Sequence, residues 1–207
     1  MHIPDGILSF PFLVIGWSLS ILILYILFNK YTSLELTELI PKISMLTALF
    51  FIISFIYIPL GVTSIHLMFI GPISIILGPI SYVCIFVSLI LQAIFLHSGG
   101  LLSLGINSLI IGCCGVLNSF FYNLLKKIIN FLYAGFISTF FSLIISFMIL
   151  YCILYINGTF INLNFKYFIQ FHIIPTIFTI IFESITTIFV LHFLSIIKPD
   201  LIFKGEI

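Results

Sequence analysis

Between Ile43 and Leu125 the chain contains no Lys, Arg, Asp or Glu. A stretch of that length has too few polar side chains to cover the surface of a soluble domain, and it is too long for a single crossing of a bilayer. It must therefore pass through a membrane several times. In hydrocarbon every backbone N–H and C=O needs an internal partner, which leaves helices rich in Ile, Leu and Phe, broken by Gly and Pro, as the available solution. The whole chain fits this reading: of its 207 residues 62% are hydrophobic and 6% charged, with a mean hydropathy of +1.40. The expected fold class is an all-α integral membrane protein, multi-pass in the cell membrane and in contact with lipid. A formal charge of +1 gives no electrostatic basis for nucleic-acid binding.

Apolar runs predict spans at about 10–28, 43–60, 65–78, 79–96, 104–125, 131–155 and 170–197. The third is short, since ~14 residues of helix reach only ~20 Å against a hydrocarbon core of ~30 Å. The lysines decide whether to keep it. With seven transmembrane helices, the N-terminus outside and the C-terminus cytoplasmic, Lys30, Lys42, Lys126, Lys127, Lys198 and Lys204 are cytoplasmic and only Lys166 is external. Fusing the third and fourth spans gives three inside and four outside, so the sequence favours seven. The segment Asn29 to Lys42, which holds Glu35 and Glu38, reads as a solvated connector. Residues 1–207 form a single transmembrane domain with an external tail over 1–9. No basic n-region or cleavage site is visible, so mature chemistry is expected to begin at Met1.

That tail, Met1-His2-Ile3-Pro4-Asp5-Gly6, carries the candidate chemistry. A histidine following the first residue can offer one metal ion the terminal amine, its own deprotonated amide nitrogen and its imidazole, through a five-membered and a six-membered chelate ring. Planar nitrogen ligation suits nickel or copper, and imidazole also suits cobalt. Pro4 stiffens the tail and Asp5-Gly6 reads as a tight turn. In the charge-derived topology the tail, the region of His66 and the loop His97-Ser98-Gly99-Gly100 share the external side. His66 is then a candidate fourth nitrogen ligand. His97 reads as a loop residue.

Gln92 and Asn107 flank the glycine loop, where they are expected to brace the tail or to bond between helices. Glu183, near the middle of the last span and ~16 Å from His172 along a helix, is expected to bond to another helix rather than to that histidine. Cys84, Cys113, Cys114 and Cys152 lack CxxC spacing and read as packing residues. Small residues at Ala134, Ser138, Ser142 and Ser146, and the pairs Gly16/Ser20 and Ser108/Gly112, read as close helix contacts, with a partner-docking face as the alternative.

The opening His2-Ile3-Pro4-Asp5-Gly6, the segment Gly61 to His66-Leu67 leading to Leu77-Gly78-Pro79, the run Gly99-Gly100-Leu101 to Leu104-Gly105-Ile106-Asn107, and Glu183 with Lys198-Pro199-Asp200-Leu201 together resemble the CbiM/NikM family. These are substrate-binding (S) membrane components of energy-coupling-factor (ECF) cobalt and nickel transporters. The chain departs from the family pattern at Ile106, Ile110-Ile111 and Lys198. The resemblance implies Met1, His2 and His66 as metal ligands and Co2+ or Ni2+ as the transported ion, with no cofactor of its own. It implies three kinds of partner in one complex: a small companion membrane subunit, a transmembrane coupling (T) protein and cytoplasmic ATPase subunits. The chain has no GxxxxGK[ST] motif, so ATP is expected to be hydrolysed elsewhere, and the resemblance implies a non-ATPase subunit that is not an enzyme. Two other classes compete with this reading. A proton-coupled secondary transporter would lean on Glu183 and His172, and an intramembrane hydrolase would need a Ser/His pair at depth, for which Ser98 beside His97 is a poor match.

Overall fold

The computed structural model describes residues 2–60, 63–158 and 165–202, with backbone alone at 33, 57–60, 63–66 and 165–171. Seven α-helices are present among these residues: α1 (Phe10–Lys30), α2 (Ser33–Ile53), α3 (Ile70–Leu77), α4 (Ser81–Phe95), α5 (Leu104–Leu125), α6 (Phe131–Ile156) and α7 (Phe165–Ile197). A 3-10 turn, Gly78–Ile80, joins α3 to α4, and a second, Pro199–Leu201, follows α7. Strands β1 (Tyr57–Leu60) and β2 (Thr63–His66) form a small antiparallel hairpin, in which His66 pairs with Tyr57.

Six of the described stretches are long and apolar enough to cross a bilayer, with Ile70–Phe95 counting as one. The expected span 65–78 is thus not a helix of its own. Its first part is strand, and the eight residues of α3 reach only ~12 Å, under half of a ~30 Å core. The expected span 43–60 is also displaced. Helix α2 begins at Ser33, so most of the connector anticipated over Asn29–Lys42 is helical. Thr32 explains this: its Oγ1 accepts the Glu35 N–H at 3.3 Å, and Glu35 Oε2 accepts the Thr32 N–H at 2.8 Å, a reciprocal cap that starts a helix in charged sequence.

Side-chain pairs fix the direction of each helix. Ser146 donates to the Ile110 carbonyl (2.9 Å) and Thr139 to Asn118 (3.4 Å), so α5 and α6 are antiparallel. Tyr151 with Thr176 (2.8 Å) and Thr139 with Thr187 (3.3 Å) make α6 and α7 antiparallel. Gly16 lies against Ile106 and, one turn on, the Ser20 hydroxyl meets that of Ser108, so α1 runs with α5; the backbone of Trp17 approaches Gly105 too closely for any Cβ. Thr47 meets Cys84 and Ser88, and Phe51 meets Phe95, so α2 runs with α4.

Helices α3 and α4 point in opposite directions. Met68 and Phe69 meet Glu183, Gly71 meets Thr187, and Ile75 lies beside Gly135, which packs on Leu191; α3 therefore runs with α7. After the turn, Ser81 lies beside Gly115 and Tyr82 beside Gly112 and Ser108, so α4 runs against α5. The reversal sits at Gly78-Pro79, with Gly78 at φ 67°, ψ −146°, a conformation that glycine supplies without steric cost. One end of the bundle consequently gathers the N-terminal tail, the loop before α5 and the C-terminal end of α6.

The stripe Ala134, Ser138, Ser142 and Ser146 is buried within this bundle, where it serves packing between helices. Cys84 and Cys114 are buried, Cys113 half-buried and Cys152 exposed, all with free thiols.

Candidate functional site

The tail is held along its length by residues from distant parts of the chain. Ile3, 2% exposed, donates its N–H to Asn107 Oδ1 (2.8 Å), and its carbonyl accepts from Asn107 Nδ2 (3.0 Å) and Ser103 Oγ (2.7 Å). This two-way pairing is what an adjacent strand would provide, supplied here by one amide side chain on the first turn of α5. Further along, Ile7 and Ser9 repeat the arrangement with Asn157 at the end of α6: Nδ2 donates to the Ile7 carbonyl and Oδ1 accepts the Ser9 N–H, both at 2.9 Å.

Asp5 lies between these anchors. Its Oδ1 accepts the Ser103 N–H (2.8 Å) and its Oδ2 the Leu102 N–H (3.3 Å). Ser103 is the N-cap residue of α5 and caps nothing with its own side chain. A carboxylate from the tail accepts the N-cap N–H instead, the bond that a glutamate at N3 makes in a capping box, and its charge suits the positive end of the helix dipole. Partial desolvation pushes the Asp5 carboxyl up, but the bonds from Ser103, Leu102 and Leu101 outweigh it and hold the group below its usual 3.8. The loop fits closely under the tail. A Cβ on Gly100 would collide with the Asp5 carboxylate, and one on Gly99 would sit 3.4 Å from His2 Cβ and 3.1 Å from Asn107 Nδ2.

Of the sequence candidates, His2 is half-buried over Gly99 and next to the residue that Asn107 grips. Met1 lies outside the described residues. His66 ends β2, and its side chain is likewise outside them. Among the described residues no three His, Cys, Asp or Glu side chains converge on one point. His97 is exposed, with a left-handed backbone (φ 52°). Asn107 braces the tail directly, one of the two roles its sequence position allowed. Gln92 is fully buried at the end of α4, and neither atom of its amide has a hydrogen-bond partner among the described residues.

Glu183 bonds to the entrance of α3, accepting from the backbone of Met68 and Phe69, and not to His172. Sequence reasoning missed three contributors: Asp5 as a cap for a remote helix, Ser103, and Asn157. Only Asn157 left a local signal, an amide residue before Gly158 at the close of a long apolar run.

Solved structures share this fold. A transition metal transporter superimposes with a TM-score of 0.81 at 20% identity, covering 95% of this chain and 93% of that one; a truncated transition metal transporter gives 0.79 at 19%, covering 94% and 98%. The fused nickel transport protein NikMN of Rhodobacter capsulatus is 32% identical over 111 residues, 53% of this chain and 32% of the relative. A Methanosarcina barkeri protein named for cobalt transport, CbiM 1, is 33% identical over 146 residues, 67% of this chain and 62% of its own length. A Haemophilus influenzae protein named for metal transport is 31% identical over 107 residues, which is 50% of that relative. The chain thus spans between about one third and two thirds of the length of these relatives. The family described as the cobalt uptake substrate-specific transmembrane region, CbiM, matches residues 2–201. The chain belongs to the CbiM family and is a multi-pass membrane protein.

Proposed function

We propose that this chain is the substrate-capture (S) subunit of an ATP-driven, ECF-type importer of a divalent transition metal. Its ion is Co2+ destined for cobalamin synthesis, and Ni2+ uptake by the same ligand set is the alternative. The proposed ligands are the Met1 amine, the His2 amide and imidazole nitrogens, and the His66 imidazole. The observation that carries this reading is the clamp on the tail. Asn107, Ser103 and Asn157 hold residues 3–9 against the bundle end, Asp5 fastens the tail to the start of α5 from its own side, and His2 is thereby held over Gly99. A tail that only trailed into solvent would gain nothing from such remote anchors.

The proposed topology has seven membrane segments, with the tail outside and the C-terminus cytoplasmic. The reversal between α3 and α4 supports it, because it makes the number of passes odd. Charge supports it as well: Lys30, Lys126, Lys127 and Lys198 close helices at the end opposite the tail. The chain carries no nucleotide-binding motif. The reading therefore assigns ATP hydrolysis to cytoplasmic ATPase subunits, reached through a transmembrane coupling protein and a small companion membrane subunit.

Titration of the purified full-length protein with Co2+ and with Ni2+ tests the site. His2→Ala and His66→Ala are each expected to weaken binding at least about a hundredfold, and one alanine placed ahead of Met1 to do the same by moving the amine. Binding within about threefold of the unaltered protein in either histidine variant would overturn the ligand set. Vesicles holding this chain alone and a pH gradient separate the transport classes. Accumulation of metal there would favour a proton-coupled secondary transporter instead.

A further inference from the structure

Only Leu67, Met68 and Phe69 separate His66 from the first residue of α3, and this linker turns sharply. Phe69 has φ 53°, ψ 33°, a left-handed backbone that a bulky aromatic residue keeps only where its neighbours hold it. As the N-cap of α3, Phe69 offers no side-chain cap. The partner comes from α7. Glu183 Oε1 accepts the Met68 N–H at 2.6 Å and the Phe69 N–H at 3.0 Å, from a side chain only 1% exposed. One turn further on, Thr187 donates to the Glu183 carbonyl at 2.7 Å and abuts Gly71, so two successive turns of α7 grip one short stretch.

We propose that Glu183 is the positioning residue for the His66 half of the metal site. It pins the backbone two residues after His66, a tether of at most about 7 Å, and so limits where the imidazole can stand. This rests on the reading of His66 as a ligand. The two carboxylates then act alike: Asp5 fixes the His2 strand of the site by capping α5, and Glu183 fixes the His66 strand by capping α3.

The test uses Ni2+ as the probe and the full-length protein. Glu183→Leu removes the acceptor, whereas Glu183→Gln keeps a carbonyl oxygen in its place. Glu183→Leu is expected to weaken Ni2+ binding about tenfold or more and to shift the Ni2+ absorption band to longer wavelength, as the His66 nitrogen is lost; Glu183→Gln should stay within about threefold with an unchanged band. In a His66→Ala background, Glu183→Leu should cost nothing further.

An unchanged band in Glu183→Leu, or equal losses with and without His66, would overturn the proposal and leave Glu183 a brace for the fold. If Glu183→Leu does not fold, hydrogen exchange of the unaltered protein decides: Ni2+ should slow exchange at the Met68 and Phe69 amides, and no change there would equally overturn the proposal. Full Ni2+ affinity in His66→Ala alone would instead sink the ligand assignment.

Discussion

The side-chain amide of Asn107 and the peptide group of Ile3 hydrogen-bond in both directions, at 2.8 and 3.0 Å, across 104 residues of sequence. Asn107→Leu leaves the buried Ile3 N–H without this acceptor, a loss of about 1–3 kcal/mol. The tail should exchange its amide hydrogens faster, and metal affinity should fall about tenfold to a hundredfold with the helices intact. Asn107→Asp keeps the acceptor and drops the donor, so it should fall between the two. Unchanged tail exchange in both variants would show that this pair does not hold the tail.

Gly100 offers a test in which no polar group changes. A methyl group there collides with the Asp5 carboxylate, so Gly100→Ala should force the tail off the start of α5. Metal affinity is expected to drop about tenfold or more while circular dichroism stays unaltered. Gly6→Ala is the companion: nothing lies within 4 Å of its would-be Cβ, but its φ of 87° disfavours any side chain, so a smaller loss by strain is expected.

Asp5 sets the acid limit of tail docking. Its folded pKa lies below 3.8, so its contribution is complete above the ordinary carboxylate value and is lost as pH falls through the depressed folded value. Amide exchange of Ile3 at Asn107 should therefore stay slow from neutral pH down to the ordinary carboxylate range and quicken below it. Asp5→Asn should abolish that step. A step that persists in Asp5→Asn would assign it to another group.

Thr32→Ala removes the cap of α2 at the end of the bundle away from the tail. It should lower stability by about 1 kcal/mol and leave metal affinity unchanged. A change in affinity would mean that the two ends of the bundle are coupled through α2.

Much of the bundle is legible in hydropathy, because lipid-facing residues must be apolar and many of the core-facing ones are too. The boundary at Gly78-Pro79 was also readable, since the distribution of lysines across the two faces of the membrane favours separate third and fourth spans over a fused one. The start of α2 was obscured by its charges, although Thr32 and Glu35 stand at capping-box spacing. Strands β1 and β2 were hidden for the opposite reason: Tyr57-Ile58-Pro59-Leu60 continues an apolar run, and a short apolar strand and a helix end look alike in composition. At the site, His2 and Asn107 could be named from the chain alone. Asp5 could not be seen as a cap for α5, because a contact made across about a hundred residues leaves no local pattern.

The half-length α3 bears on how the protein enters its membrane. Lipid cannot satisfy the backbone N–H groups exposed where a helix starts at mid-depth, as α3 does beside Glu183, so such a helix must be enclosed by protein. Much of the surface enclosing α3, including Thr139 of α6, Thr187 and Glu183 of α7 and Asn118 of α5, is synthesised after it. Biogenesis therefore cannot run strictly in order from the N-terminus. Residues 70–80 have to wait at the translocon or the bilayer surface until α7 arrives to enclose them.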